Sequence, residues 1–367
     1  MSMRPADVAI VHDYLTQRGG AERVVVSLLR AFPGSTVHTS LFDPDGTFPE
    51  FGTADVRTLP LNAFRTLRRN HRLALPLLAP AFSRLKIDAP VALCSSSGWA
   101  HGARASGRKL VYCHAPARWL YQREHYLGAR GSVGRFALAA VAPLLERWDR
   151  RAAASADRYR VNSRATQRLV EQVYGIDADV LAPPYALGPG GPEQRVEGLD
   201  AGFFLCVSRL LPYKNVGAVC AAFSEIPDSK LVVVGEGPER DALQRSAPRN
   251  VVFLGEIDDA RLRWLYAQSR GLVTAAFEDF GLTPLEAAAF GRPTAALAFG
   301  GFLDTVLPDE TGVFFDTPEP AQIAVAVRRL AAADWSVARL HAQAESFSEE
   351  RFISAVREAV DQMDPGA

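Results

Sequence analysis

The chain has 367 residues, 48% of them apolar, and its 41 Lys+Arg are balanced by 41 Asp+Glu. That length suits two domains, and that apolar content is globular rather than disordered. It contains no run of eighteen apolar residues and no signal-peptide core, so neither a transmembrane helix nor a secreted product is expected, and the cytoplasm is the expected location.

The charge is unevenly spread. Residues 1–190 hold 25 Lys+Arg against 15 Asp+Glu, and residues 191–367 hold 16 against 26. Two domains with different partners fit this asymmetry, the basic one meeting something anionic. No zinc-finger or RRM pattern accompanies the basic residues, so nucleic acid is not the expected partner. Cys94, Cys113, Cys206 and Cys220 are scattered, lack zinc or CxxC spacing, and read as reduced, buried thiols.

Val8–Val11 reads as a buried strand ending in His12-Asp13, at the strand end where α/β proteins bind ligands. Strand-end hydrogen bonds would place the same two residues there. Gly19-Gly20 precede a helix over Val24–Phe32, which Pro33-Gly34 end. Strand, Gly-Gly, helix is a phosphate-cradle geometry, but it lacks G-x-G-x-x-G, so a dinucleotide fold is not indicated. Asp43-Pro44-Asp45-Gly46 has Asp-x-Asp spacing, yet Pro and Gly make it a turn, and no metal is assigned to it.

Residues 59–86 carry Arg65, Arg68, Arg69, Arg72, Arg84 and Lys86 among many leucines, with no acidic residue. This is the composition of helices lying on an anionic membrane surface, or equally of domain helices with a solvated basic face. Prolines at 76 and 80 argue against one long helix. Val91–Cys94 and Lys109–Cys113 read as strands. The first leads into a loop of small donors, Ser95–Gly102. The second leads directly into His114, placed for chemistry or for a structural hydrogen bond, with Arg118 four residues on. Asn162-Ser163 cap a helix running to Tyr174-Gly175. Residues 187–200, rich in Gly and Pro, read as a linker.

Phe203–Val207 opens the second domain as a strand. Arg209 and Lys214 follow in a strand-to-helix loop, a fork and a mobile point charge suited to a diphosphate. Leu231–Val234 and Val251–Leu254 are further strands. Gly271–Ala276 is another, followed by a tight loop and a helix from Thr283 to Phe290, with Thr283 as N-cap and Pro284 as first helical residue. The loop amides and the positive helix end form an anion site, flanked by Glu278 and Glu286.

The Glu278-x7-Glu286 spacing with Phe280-Gly281 and Gly291-Arg292-Pro293, the Ser208-Arg209-Leu210-x-Pro212-Tyr213-Lys214 run, Gly235-x-Gly237-Pro238 and Cys113-His114-x-Pro116-x-Arg118 together resemble the retaining glycosyltransferases of family four type, their mannosyltransferase-like members in particular. The resemblance covers nearly the whole chain, strongest over 203–315. It implies a GT-B fold of class α/β, with two Rossmann-like domains facing a cleft. Residues 1–186 would bind the acceptor and 187–346 the nucleotide sugar, while 347–367 would form a helix crossing back to the first domain. Arg209 and Lys214 would hold the donor diphosphate, with the loop amides of Phe280, Gly281, Leu282 and Thr283. Glu286 would take the ribose, Glu278 the sugar, and the backbone at Gly255 and Ile257 the base. Gly19 and Gly20 would touch the diphosphate, and His114 the sugar and transition state. His12, Asp13 and Arg118 would lie on the acceptor side. Asp304 stands where the family commonly has Glu, which leaves the role of that position open.

No carboxylate is placed as a nucleophile, so front-face transfer with retention is expected, with no metal and no cofactor beyond the nucleotide-sugar substrate. GDP-mannose is the expected donor and a glycan or lipid-linked acceptor the expected partner. The enzyme would be cytoplasmic or peripheral on the inner face of the plasma membrane. A UDP-sugar-dependent transferase, a GT-B sugar-nucleotide epimerase and a non-catalytic sugar-nucleotide-binding protein are the alternatives.

Overall fold

The computed structural model of the chain describes residues 7–122 and 132–363, so residues 1–6 of the expected first domain and 364–367 of the expected last helix lie outside the described residues. The chain divides into two compact units, one of Met1–Pro184 with Glu349–Ala367 and one of Tyr185–Ser348.

In the first unit the strands are β1 (Val8–His12), β2 (Val37–Thr39), β3 (Val56–Thr58), β4 (Lys86–Ile87), β5 (Val91–Ser96), β6 (Arg104–Ala105), β7 (Arg108–Cys113), β8 (Arg158–Val161) and β9 (Asp179–Val180). Seven of them form one sheet in the order β3-β2-β1-β5-β7-β8-β9, and β4 pairs with β6 apart from it. The sheet is parallel throughout. A parallel sheet is buried on both faces, which is why its central strands read as continuous apolar runs. Side chains still alternate between faces. Ile10, Leu93, Leu110 and Tyr112 join one core. Their neighbours Val11, Cys94, Val111 and Cys113 join the other.

The last helix, Glu349–Asp361, belongs to this unit. Phe352, Val356 and Val360 pack into the same core as Val25 and Leu28 of the helix Gly20–Ala31. Burying each such side chain is worth about 1.5–3 kcal/mol. Glu349 locks the pair at one end, accepting from Ser27 Oγ at 2.6 Å and from Arg30 Nη1 at 2.7 and 2.6 Å.

The second unit has β10 (Phe204–Val207), β11 (Leu231–Val234), β12 (Val251–Gly255), β13 (Gly271–Thr274), β14 (Thr294–Leu297) and β15 (Gly312–Phe315). They form a parallel sheet in the order β12-β11-β10-β13-β14-β15. The connections therefore wind outward in opposite directions from the β10–β13 pair, the topological switch point at which doubly wound sheets bind ligands. In the first unit β1 and β5 hold the equivalent place. All four cysteines are unpaired by disulfide and buried. Among the described residues no helix is long and apolar enough to cross a membrane.

Two sequence-based expectations change here. Residues 187–200 have no regular structure, but they are not a solvated linker: Leu187 and Leu199 are buried in the second unit's core, with Val196 against it. Three apolar anchors among Gly, Pro and charged residues are enough to pin the segment down. The helix after β13 runs Thr283–Ala289 with Leu282 at the N-cap and no side-chain cap, so Thr283 is inside the helix rather than capping it.

Glycines set the loops at the switch point. A Cβ on Gly235 would lie 2.0 Å from the Ser208 carbonyl oxygen, and one on Gly237 would lie 2.3 Å from that of Leu210. On the other side, a Cβ on Gly300, which has φ +60°, would lie 1.9 Å from the Glu278 carbonyl oxygen; one on Gly301 would lie 2.2 Å from Phe280 Cα. Gly301 N–H also donates to that Glu278 carbonyl at 3.0 Å. Neither backbone can yield cheaply, so Gly300→Ala should destabilise the protein by about 1–3 kcal/mol and lower its melting temperature by several degrees. Gly52→Ala, where nothing lies within 4 Å, should cost less than about 0.5 kcal/mol. Calorimetry of the two variants checks this, and equal melting temperatures would show that the 278–280 and 300–301 loops do not touch.

Candidate functional site

In the second unit the residues singled out from sequence fall on the loops that leave β10 and β13. The β10 loop ends in a tight turn, Pro212–Lys214, and Asn215 follows it in the left-handed region at φ 53°. Asn215 Nδ2 donates to the Ala275 carbonyl at 2.8 Å, and Phe277 N–H donates to the Tyr213 carbonyl at 3.0 Å. These bonds tie the two loops together, and Lys214 Nζ meets Glu278 Oε1 in an ion pair across them. The lysine side chain is 10% exposed and the glutamate 21%. Arg209 is exposed, with Nη2 at 3.4 Å from Tyr213 Oη.

Glu286 lies inside the following helix and is buried. Tyr266 Oη, from the helix Asp259–Gln268, donates to its Oε2 at 2.7 Å. The Tyr266 ring stacks on Phe290 at 5.4 Å. Burial first, and then the Glu286 carboxylate, raise the Tyr266 phenol well above its ordinary value, so it stays a donor. Phe280 is buried, Gly281 has φ +88°, and Leu282 and Thr283 are half-buried on the same turn. Gly255, at φ +75°, accepts from Gly235 N–H at 2.8 Å, which places Ile257 on the next loop at the same end of the sheet.

In the first unit three strand ends meet. His12 closes β1 and is the register partner of Ser95 in β5; Ser96 pairs with Cys113, the last residue of β7. His12 is buried, with Nδ1 at 3.0 Å from the Ser95 carbonyl and 3.1 Å from Ser95 Oγ. Ser95 Oγ is also 2.8 Å from Nε2 of half-buried His114. Burial lowers the His12 pKa to about 4. Burial, then His12 and Arg118, lower that of His114 to about 3, so both imidazoles are neutral at pH 7.

Asp13 makes strand-end hydrogen bonds. Its carboxylate accepts from the backbone N–H groups of Ser97 (2.6 Å), Trp99 (3.1 Å) and Ala100 (2.6 Å). It is buried, and burial pushes its pKa up to about 6 against the pull of those donors. In the same loop, His101 Nδ1 is 2.8 Å from Ser96 Oγ, and its Nε2 lies 2.9 Å from Asp149 Oδ1, an ion-pair distance without hydrogen-bond alignment. Asp149 accepts from Tyr121 Oη at 2.9 Å and Tyr174 Oη at 2.6 Å. The Tyr121 bond anchors the short helix Arg118–Tyr121, and so the backbone of half-buried Arg118.

Gly19 is the N-cap and Gly20 the first residue of the helix Gly20–Ala31. A Cβ on Gly19 would meet Glu22 Oε2 at 2.4 Å. The Glu22 carboxylate is buried and accepts from Gln17 Nε2 at 2.9 Å, so it folds back beneath the helix end. A diphosphate reaching Gly19 and Gly20 would share that end with a carboxylate.

Tyr266, Asp149 and Glu22 are polar residues that reading the sequence did not single out, and Ser95, read as the start of a loop of small donors, lies within β5 instead. The register of parallel strands is what brings Ser95 between the two histidines, and no local pattern encodes it. Tyr266 reads as an ordinary core aromatic.

Two family models match the chain: "Glycosyltransferase Family 4" over residues 18–182 and "Glycosyl transferases group 1" over residues 192–347. The two halves of the chain are thus similar to glycosyltransferase domains, each model covering somewhat less than half of it. Among curated proteins, a glycogen synthase of Thermus thermophilus is 36% identical over 207 residues, 50% of this chain and 47% of that protein. A GDP-mannose-dependent alpha-(1-6)-phosphatidylinositol monomannoside mannosyltransferase of Mycolicibacterium smegmatis is 32% identical over 182 residues, 43% of this chain and 46% of that protein. The matches thus span about half the length of these relatives. Solved structures match over nearly the whole chain. The sucrose-phosphate synthase of Thermosynechococcus elongatus has a TM-score of 0.71 at 19% identity, covering 98% of this chain and all of that one. Anabaena HepE, solved with UDP-glucose, has 0.67 at 16% identity, covering 97% and 99%. These likenesses are of fold, and the fold is GT-B.

Asp13→Ala would strand three backbone donors, two of them in the buried segment Trp99–Ala100, at a cost of about 3 kcal/mol or more. Thermal unfolding of the variant checks this; a loss below about 1 kcal/mol would mean that water replaces the carboxylate.

Proposed function

We propose that the chain is a retaining glycosyltransferase that moves a hexose, mannose from GDP-mannose, to a glycan or lipid-linked acceptor without a metal ion. The observation that carries this reading is the Lys214–Glu278 pair on the two loops of the switch point, with Arg209 on the first loop and Glu286 on the helix after the second. In this reading Arg209 and Lys214 hold the donor diphosphate. Lys214 has three donor protons, so it can keep Glu278 and still receive a phosphate oxygen. Glu286, held by Tyr266, takes the ribose hydroxyls, and Glu278 takes the sugar. Gly19 and Gly20 touch the donor diphosphate, and His12, Asp13 and Arg118 border the acceptor, the two strand-end residues through the loops they hold.

Glu278 is engaged by a buried ammonium, which suits a group that orients a sugar better than one that attacks its anomeric carbon. Transfer is then front-face, with retention. The charge developing on the leaving diphosphate is met by Arg209, Lys214 and the amides from Phe280 to Thr283, which leaves no step that needs a metal. The mannosyl donor draws on the two Mycolicibacterium relatives named as GDP-mannose-dependent, the second 39% identical over 111 residues. The Anabaena neighbour solved with UDP-glucose keeps a UDP-sugar as the second reading.

A lipid-linked acceptor draws on the first unit's surface. Phe64, Leu73 and Leu77 are 61%, 53% and 46% exposed. Around them Arg65, Arg69, Arg84 and Lys86 are exposed, while Arg68 is partly engaged by the Asn62 carbonyl at 2.5 Å; the side chain of Arg72 lies outside the described residues. Apolar and basic side chains exposed together match an anionic lipid surface, where each cation contributes about 1 kcal/mol.

A melting-temperature panel of GDP-mannose, UDP-glucose and a dTDP-sugar tests the donor. A ligand at 100 times its Kd should add roughly 2.7 kcal/mol. GDP-mannose should give the largest shift, Lys214→Ala should abolish both the shift and transfer, and normal turnover by Lys214→Ala would overturn the phosphate assignment. Replacing Arg65, Arg68, Arg69 and Arg72 by Ser, or Phe64, Leu73 and Leu77 by Ser, should each lower co-sedimentation with phosphatidylglycerol vesicles. Unchanged binding in both would leave a solvated basic face.

A further inference from the structure

We propose that Ser95 is a positioning residue that locks His114 in the tautomer carrying its proton on Nδ1, through a directed relay from His12 to Ser95 to His114. The proposal deepens the reading of His114 as a sugar contact and rests on it for the kinetic consequence, though not for the tautomer.

The direction of the relay follows from which atoms can donate. His12 Nδ1 is 3.0 Å from the Ser95 carbonyl oxygen. A carbonyl only accepts, so that nitrogen carries a proton. The same N–H lies 3.1 Å from Ser95 Oγ, which it reaches as a shared donor. Ser95 Oγ then has one proton of its own to place, and its other neighbour is His114 Nε2 at 2.8 Å. Were His114 to donate from Nε2, the Ser95 hydroxyl would receive two N–H groups and hold a proton with no acceptor. Ser95 has no exposed surface, so no water is there to accept it. A buried donor without a partner costs more than an ordinary hydrogen bond yields. The hydroxyl therefore donates to His114 Nε2, and the imidazole proton sits on Nδ1.

The surroundings keep this arrangement fixed. His114 N–H donates to the Ser96 carbonyl at 2.8 Å, and its own carbonyl accepts from Asn162 Nδ2 at 2.8 Å. The Tyr112 ring packs against the imidazole at 5.1 Å and 72°, and His12 does so at 6.3 Å and 87°. Burial, which lowers the pKa of both histidines, keeps the pair neutral. His114 thus has one donor, Nδ1–H, and its only ring acceptor is occupied by Ser95. It is built to donate a hydrogen bond to a sugar oxygen, and not to take a proton from an acceptor hydroxyl.

Long-range proton–nitrogen NMR on histidine-labelled protein at neutral pH reads the tautomer directly, with the His114 signals assigned by their loss in His114→Gln. The expected pattern is a protonated Nδ1 and a bare Nε2; a protonated Nε2 in the wild-type protein overturns the proposal, whether or not any variant folds. In Ser95→Ala the His114 signals should shift toward the Nε2–H form. Its kcat should fall roughly tenfold, the factor carried by one hydrogen bond of ordinary strength, with the donor KM within about twofold. An unchanged tautomer, or an unchanged kcat once the tautomer has shifted, overturns it. If instead the protein transfers no sugar at all while the wild-type tautomer is as expected, it is the glycosyl-transfer reading that fails and not the relay.

Discussion

One backbone can lie directly against another only where a residue has no Cβ, and the site of the second unit depends on that contact. Ser208 and Leu210 are pressed by Gly235 and Gly237 from the β11 side, and Glu278 and Phe280 by Gly300 and Gly301 from the β14 side. The two inner loops are then joined through Asn215 to Ala275 and Phe277 to Tyr213. Four successive loops along the sheet edge are thereby fixed before any charged side chain is considered. This order of causes matters for Lys214 and Glu278. A buried ion pair is by itself a weak source of stability, because taking both charges out of water consumes most of what their attraction returns. The scaffold positions the pair; the pair does not hold the scaffold.

The first unit solves a different problem. Its strand ends carry His12, Asp13, Ser95, Ser96 and His101, all buried. Polar groups in such a place are tolerable only if each finds a partner. Asp13 is consumed by three amides and His12 by Ser95, while His101 bonds Ser96 through Nδ1 and sets Nε2 at ion-pair distance from Asp149 without the alignment of a hydrogen bond. These bonds tie the loop from Ser97 to Ala100 to the end of β1, and the Ser96 carbonyl in turn accepts from His114 N–H. Glu22 beneath Gly19 belongs to the same pattern, its negative charge set against the positive end of a helix.

How far this could be read from the sequence follows from the range of the signals. Apolar runs such as Val8–Val11 and Leu231–Val234, each before a glycine turn and a helix, are local, and they give the α/β class and both sheets. Arg209, Lys214, Glu278 and Glu286 were legible because their spacing within two strand–loop–helix units is itself local. Tyr266 was not. It sits 20 residues from Glu286 on another helix, and only the fold turns a core aromatic into a carboxylate's partner. Ser95 lies 83 residues from His12 and 19 from His114, a meeting decided by strand register. The segment 187–200 was misread for the opposite reason: its composition is local and flexible, while the burial of Leu187 and Leu199 is tertiary.

The charge distribution bears on how an anionic donor would be recognised. Arg209 and Lys214 stand in the half of the chain that holds 16 cations against 26 anions, and two carboxylates accompany them at the switch point. Such a unit has no long-range field to draw in a diphosphate, and beyond about 8 Å in physiological salt what field it has is screened. Affinity would then come from short-range contacts: the guanidinium fork, the ammonium protons and the backbone amides that open the helix Thr283–Ala289. Contacts of that kind read the geometry of the ligand rather than its charge. A diphosphate carrying a ribose in reach of Glu286 and a sugar in reach of Glu278 satisfies all of them at once, whereas inorganic phosphate satisfies only the cations and meets two carboxylates. The acidic residues, which weaken the site as an anion trap, are therefore what would make it selective for a nucleotide sugar.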